Sequence, residues 1–149
     1  MILYRFSRSE YANDISGEGA RLKGGRWNSK GFPVIYTSSA ISLALLELLI
    51  HSVSFEEIQS NVLMQIEAPD IPIKVLAKTS LKQTWQKDID YSRFIGNEFL
   101  KNKVSLLLKV PSAIIPDEYN ILINPQHPGF KKVTLVSAKI FEFDMRLFK

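Results

Sequence analysis

Short apolar segments of β period, interrupted by only two stretches able to carry a helix of several turns, are the feature that most restricts how this chain can fold. Residues 2–6 read as a first strand, and Val34, Ile35, Tyr36 and Thr37 as a second. Val62, Met64 and Ile66 alternate with polar neighbours, and Ile71, Ile73 and Val75 alternate again beyond Pro69, which predicts two more half-buried strands. Residues 104–110 predict a buried strand stopped by Pro111, residues 120–123 another before the turn-rich stretch from Asn124 to Gly129, and residues 140–143 a last one. Residues 39–51, rich in Leu and Ala and free of Gly and Pro, predict a helix that Ser38 or Ser39 caps. Residues 91–101 predict an amphipathic second helix, with Phe94, Ile95, Phe99 and Leu100 on related faces. Two helices among many strands, without strict strand–helix alternation, predict an α+β fold and argue against a doubly wound parallel sheet.

A chain of 149 residues with 46% hydrophobic residues can bury a core without disulfides or a structural metal. It contains no cysteine, which excludes a thiolate nucleophile and any Cys-liganded zinc or iron–sulfur centre. Neither a repeat nor a Pro-, Gly- or Ser-rich linker divides it, so one domain over residues 1–149 is expected. The first ten residues lack the pattern of a secretory signal, and the apolar run 43–50 is interrupted by Glu47 and too short to span a bilayer, so a cytoplasmic protein without membrane contact is expected. Nineteen Lys and Arg against 15 Asp and Glu give a net charge of +4. The basic residues are scattered, which permits attraction to phosphates but does not identify nucleic acid as a partner.

Gly17 and Gly19 begin a pattern that a dinucleotide fingerprint would complete with a third glycine at position 22, where the chain has Leu22. The segment offers Arg21, Lys23 and Arg26 among glycines, a setting in which backbone N–H groups and guanidinium forks can approach an anion; an ordinary basic surface loop has the same composition. Glu47 is more informative. Its helical neighbours are Leu43, Ala44, Ile50 and His51, so its carboxylate lies off any polar stripe and is either paired to a structural Arg or lines a cavity. A carboxylate in a cavity suits a site that develops positive charge, such as an oxocarbenium-like transition state. His51 and His127 lack companions at metal-ligand spacing, and no metal site is expected. Ser112 follows Pro111 at a strand end without a nucleophile elbow around it. Tyr4, Trp27 and Tyr36 are candidates either for core packing or for stacking on a flat ligand ring.

Gly19 and Ala20, the run from Gly24 through Asn28, then Gly31, Val34 to Tyr36, Ser38 and Leu43 to Glu47 resemble the first half of a RES-domain protein. Val110, Pro111 and Ser112, Glu118 with Asn120, Leu122 to Pro125, His127 and Pro128, and finally Phe143, Asp144, Arg146 and Leu147 resemble that family's later blocks in order. The likeness spans essentially the whole chain, from Tyr4 and Arg5 to Leu147, with Phe99 standing where Trp is more usual. The resemblance implies that Arg26, Glu47 and Ser112 are the Arg, Glu and Ser that name the family, and that Arg5 and Tyr36 belong with Arg26 and Ser112 to an NAD pocket. It further implies a split mixed or antiparallel sheet similar to that of ADP-ribosyltransferases. The implied activity is that of a bacterial toxin depleting NAD by cleaving its nicotinamide–ribose bond, as a glycohydrolase or phosphorylase and without a metal, and neutralised by an Xre-type antitoxin. Two alternatives stand beside it: an ADP-ribosyltransferase that modifies a protein target, and a non-enzymatic basic module binding nucleic acid or a protein.

Overall fold

The computed structural model describes residues 1–148. It is α+β, built as β1 (Ile2–Arg8), α1 (Glu18–Lys23), β2 (Ile35–Ser38), α2 (Ile41–Ile50), α3 (Phe55–Gln59), β3 (Asn61–Glu67), β4 (Lys74–Val75), α4 (Ile89–Asn102), β5 (Leu107–Pro111), β6 (Tyr119–Ile123) and β7 (Thr134–Ile140). The seven strands form one sheet in the order β4-β5-β6-β2-β1-β3-β7. Every neighbouring pair is antiparallel except β4 with β5.

The sheet is nearly two sheets. β1 is in register with β3 along its whole length, and β2 with β6 along its own, but β1 and β2 share the single pair Tyr4 and Ser38. A strand pair held at one point can splay beyond it, and the halves β4-β5-β6-β2 and β1-β3-β7 join at these two residues. Strand alternation serves two cores. Leu3, Ile35, Ile66, Leu107 and Ile123 belong to one, and Trp27, Leu100, Leu108, Val110 and Leu122 to the other. Leu107 and Leu122 are 1% and 0% exposed, and truncating either to Ala would cost about 2–5 kcal/mol.

Several elements differ from the sequence expectation for identifiable reasons. Neither Ser38 nor Ser39 caps α2, whose N-cap is Ala40 without a side-chain bond, because Ser38 is still in β2 with its hydroxyl donating to Asn120 Oδ1. The run Ile71 to Val75 pairs only at Lys74 and Val75, an exposed edge, since Pro69 and Pro72 supply no N–H to a ladder. β5 begins at Leu107, not at residue 104: Lys103, at φ 54°, ends α4 in the left-handed conformation, and Val104 stays exposed. The last strand is Thr134–Ile140, whereas Phe141 and Phe143 leave the sheet to pack on Phe6 with ring centroids 5.1 and 5.4 Å away. α1 and α3 were not expected. The signal for α3 is in the sequence: Ser54 accepts from the Glu57 N–H at 3.1 Å while the Glu57 carboxylate reaches back to the Val53 N–H at 2.8 Å, a close relative of the capping box.

Candidate active site

The best-organised polar cluster surrounds Glu47. α2 packs on β1 and β2 through a face that buries Leu43 and Ala44, and one turn further along the helix Glu47 reaches β6 and the end of β5. Its Oε1 accepts two hydrogen bonds, from Ser112 Oγ at 2.9 Å and from Asn120 Nδ2 at 2.7 Å. Ser112 is fully buried, and its Oγ already accepts the N–H groups of Ile114 (3.1 Å) and Ile115 (3.2 Å). A hydroxyl has one hydrogen to give, and here it goes to Glu47. Asn120 pairs with Ser38 across the β2–β6 ladder, and its Oδ1 receives the Ser38 hydroxyl at 2.6 Å. Among the described residues, Glu47 has no Arg, Lys or His partner and its Oε2 makes no hydrogen bond. The carboxylate is therefore fixed through one oxygen by two neutral donors, not neutralised by the structural Arg that the sequence left open.

A second cluster holds the turn from Gly25 to Asn28. The Gly25 N–H donates to the Asn28 carbonyl at 2.9 Å, closing the turn. Tyr36 supports it from β2: its hydroxyl accepts the Trp27 N–H at 3.0 Å and donates to Asn28 Oδ1 at 2.6 Å. Burial pushes that hydroxyl well above the ordinary phenol range, with the Trp27 N–H and the nearby Arg93 and Arg26 opposing, so it stays protonated and able to donate. α4 clamps the turn from the other side. Ser92 Oγ donates to the Arg26 carbonyl at 2.6 Å, Arg93 Nε donates to the Gly25 carbonyl at 2.8 Å, and Asn97 Oδ1 accepts the Ser29 N–H at 2.9 Å. These positions, 92, 93, 96 and 97, share one helix face, and at 96 only glycine fits: a Cβ there would sit 1.6 Å from the Trp27 carbonyl oxygen. Arg26 projects from this braced turn, its guanidinium donating to the Gln86 carbonyl at 2.9 Å, and Gln86 Nε2 donates in turn to the Ala113 carbonyl next to Ser112. Of the two readings left open for this segment, the anion cradle is not supplied by the N–H groups of Gly24, Gly25 and Gly31. These are spent on Ala20, Asn28 and Arg21 carbonyls, and the Arg21 fork is engaged by Glu18 within α1.

Arg5 lies beside the junction of the two half-sheets. It shares a face of β1 with Leu3 and Ser7, so it approaches the split from the side opposite to Tyr36, and it is half-buried. Its Nε is buried with no hydrogen-bond partner among the described residues. Burial pulls the guanidinium below its ordinary range and the carboxylate of Asp14 partly offsets this, yet the group stays cationic at neutral pH. An unsatisfied buried donor on a cation is costly within the protein alone and is what an anionic ligand would satisfy. The structure thus joins Glu47 directly to Ser112, and Arg26 to Tyr36 and, through Gln86, to the Ser112 loop. No hydrogen bond ties Arg5 to either cluster. Asn120 and Ser38 complete the Glu47 cluster without having been singled out for chemistry; the signal was one polar residue on β6 and one at the end of β2, which the register sets opposite each other.

The remaining candidates have structural places. His127 caps the 3-10 turn Pro128–Lys132 by accepting the Gly129 N–H on Nδ1 at 2.9 Å, and His51 is the exposed C-cap of α2. Trp27 packs in the core against Trp85, ring centroids 5.7 Å apart. Among the described residues no group of three or more His, Cys, Asp and Glu could hold a metal, and no helix is long and apolar enough to cross a membrane.

A nearly split α+β sheet with a carboxylate anchored by two neutral donors, Ser112 and Asn120, sets the class of fold and site, and comparison with known proteins gives the family. The RES domain model matches residues 2–145, and the chain belongs to the RES domain family. It is 38% identical over 153 residues to Toxin Res of Photorhabdus laumondii, covering 100% of this chain and 98% of that protein. It is 32% identical over 151 residues to the Prs ADP-ribosylating toxin of a Sphingobium species, covering 96% and 92%. A chain in the crystal structure of the M. tuberculosis MbcT–MbcA toxin–antitoxin complex shares its fold with a TM-score of 0.76 over 94% of this chain and 83% of that one, at 21% identity.

Proposed function

We propose that this chain is, as one domain over residues 1–149, the toxin of a bacterial toxin–antitoxin pair and that it consumes NAD by breaking the nicotinamide–ribose bond. The observation that carries the reading is the state of Glu47: one oxygen anchored by Ser112 and Asn120, the other without a partner, and no cation to neutralise it. When the bond between the ribose anomeric carbon and the pyridinium nitrogen breaks, its electron pair passes to the nitrogen and cancels the nicotinamide charge, so no general acid is required at the leaving group. The positive charge that appears on the ribose is stabilised by the Glu47 carboxylate, which also accepts a ribose hydroxyl. A nucleophile, water or phosphate, then bonds to the anomeric carbon and loses a proton. Arg26 and Arg5 hold the two phosphates, and the ring of Tyr36 bounds the nicotinamide while its hydroxyl keeps the Arg26 turn in place. Ser112 orients Glu47. The protein acts in the cytoplasm without a metal, and its partner is an Xre-type antitoxin; the chain itself binds no nucleic acid.

A second reading, transfer of ADP-ribose to a protein side chain, is favoured by one observation, the identity with the Sphingobium ADP-ribosylating toxin. The same experiment tests both. Purified protein is incubated with NAD labelled in its ADP-ribose part, in buffer, with phosphate, and with cell lysate, and free nicotinamide is followed. The proposal expects nicotinamide release in the purified system. Transfer predicts slow release alone and label on a protein band when lysate is present. NAD intact in all three arms would overturn both readings and favour a binding module.

A further inference from the structure

We infer that Ser38 and Asn120 are positioning residues that decide which oxygen of Glu47 does chemistry, an inference that rests on the NAD-cleaving reading above. The argument starts from the ambiguity of an amide. An Asn side chain can present either its oxygen or its NH₂ to a neighbour, and only the NH₂ is useful beside a carboxylate. Here the acceptor-only Glu47 carboxylate selects the NH₂, Nδ2 donating to Oε1 at 2.7 Å, and across the β2–β6 ladder the Ser38 hydroxyl braces that orientation by donating to Asn120 Oδ1 at 2.6 Å. Ser112, turned by its two backbone N–H contacts, gives its one hydrogen to the same Oε1. Two donors on one oxygen draw charge toward it and fix the carboxylate plane, while Oε2 is left without a donor to meet positive charge. Ser38 also forms the single β1–β2 pair with Tyr4, so the residue that braces the amide sits where the two half-sheets join.

The test uses Asn120→Asp, Asn120→Ala and Ser38→Ala in the full chain, with nicotinamide release measured from pH 4.5 to 9 at saturating and limiting NAD and melting followed in parallel. The introduced carboxyl, when protonated, reproduces the asparagine pattern: it donates to Glu47 and accepts from Ser38. When it ionises, two carboxylates stand at hydrogen-bond distance and repel. The pair titrates as a unit, so the Asn120→Asp chain should approach the parent at acid pH and lose about ten- to a hundredfold in kcat as pH rises, with KM changed by less than about threefold. Other titratable groups near the cluster, His51 on α2, Glu118 beside β6 and Tyr4 on β1, are common to both chains, so the difference between their profiles reports the introduced carboxyl. Asn120→Ala should lose kcat at every pH, and Ser38→Ala should lose less, because the acceptor-only Glu47 carboxylate still selects the NH₂ and only the brace on Oδ1 is gone. A parallel pH profile for Asn120→Asp and parent, or Asn120→Ala within twofold of the parent kcat, overturns the positioning role while leaving the reaction intact. A folded parent that releases no nicotinamide overturns the reaction itself, and the positioning role falls with it.

Discussion

At the scale of single residues, chemistry and folding separate most cleanly at Glu47. In Glu47→Gln the side-chain carbonyl can still accept from Ser112 and Asn120, so the local network survives while the negative charge is lost. The expected outcome is nicotinamide release reduced to background with the melting temperature within a few degrees of the parent; turnover near the parent rate would show that the charge is not used. Arg26 separates the two differently. Its carbonyl is held by Ser92 and its guanidinium by the Gln86 carbonyl, so the turn does not depend on the shape of the side chain but a bidentate grip on phosphate does. Arg26→Lys should therefore fold normally and bind NAD about ten- to a hundredfold more weakly, from the loss of roughly 1.5–3 kcal/mol per charge-assisted hydrogen bond. Calorimetric titration that finds unchanged affinity would place the phosphates elsewhere. Glu47 was legible in the sequence because it interrupts an apolar helix. Asn120 was not marked for chemistry, because a polar residue in a strand reads as outward-facing until the register sets it opposite Ser38.

At the scale of elements, the contact between α4 and the Gly25–Asn28 turn carries the arginine side of the site. Gly96 allows that approach, since its Cα faces the Trp27 carbonyl with no room for a methyl group. Gly96→Ala has to push the helix off the turn, straining or breaking the bonds from Ser92, Arg93 and Asn97 together, and should cost at least about 1–3 kcal/mol. Gly19→Ala provides the contrast: it lies inside α1 with nothing within 4 Å of the added methyl, so it should be neutral or stabilising by up to about 1 kcal/mol. Denaturant midpoints measure both, and equal effects would refute the crowding argument. The same comparison explains what the sequence could convey about elements. The glycines at 17, 19, 24 and 25 read as a loop, which hid α1. The bracing that makes the turn rigid comes from a helix some 65 positions away in sequence, beyond the reach of any local pattern. Strands with regular alternation, such as β3, were legible to within a residue; β7 was displaced because its few large side chains are weaker as a signal than the aromatic pair Phe141 and Phe143 that follows it.

At the scale of the whole molecule, the candidate site belongs to no single element. Arg5 comes from β1, Arg26 from a turn, Tyr36 from β2, Glu47 from α2 and Ser112 from the end of β5; Glu47 and Ser112 are bonded directly, Arg26 reaches the Ser112 loop through Gln86, and Arg5 stands apart beside the junction of the half-sheets at Tyr4 and Ser38. Both hydrogen bonds to Glu47 fall on Oε1, and no described side chain occupies Oε2. On the proposed NAD-consuming reading, an antitoxin would restrain the activity by binding at this site. A partner segment carrying a carboxylate could satisfy the cationic side of the split as a phosphate does, Arg5 Nε being the donor left without a partner. Expression of this chain alone in a bacterial host should arrest growth, with cellular NAD falling before translation does. Coexpression of the cognate partner should restore both, and the Glu47→Gln chain should be tolerated at the same protein level. Timed measurements of NAD and of amino-acid incorporation after induction distinguish the causes. Arrest with NAD intact, or equal arrest by Glu47→Gln, would assign the toxicity to a surface other than the Glu47 cluster.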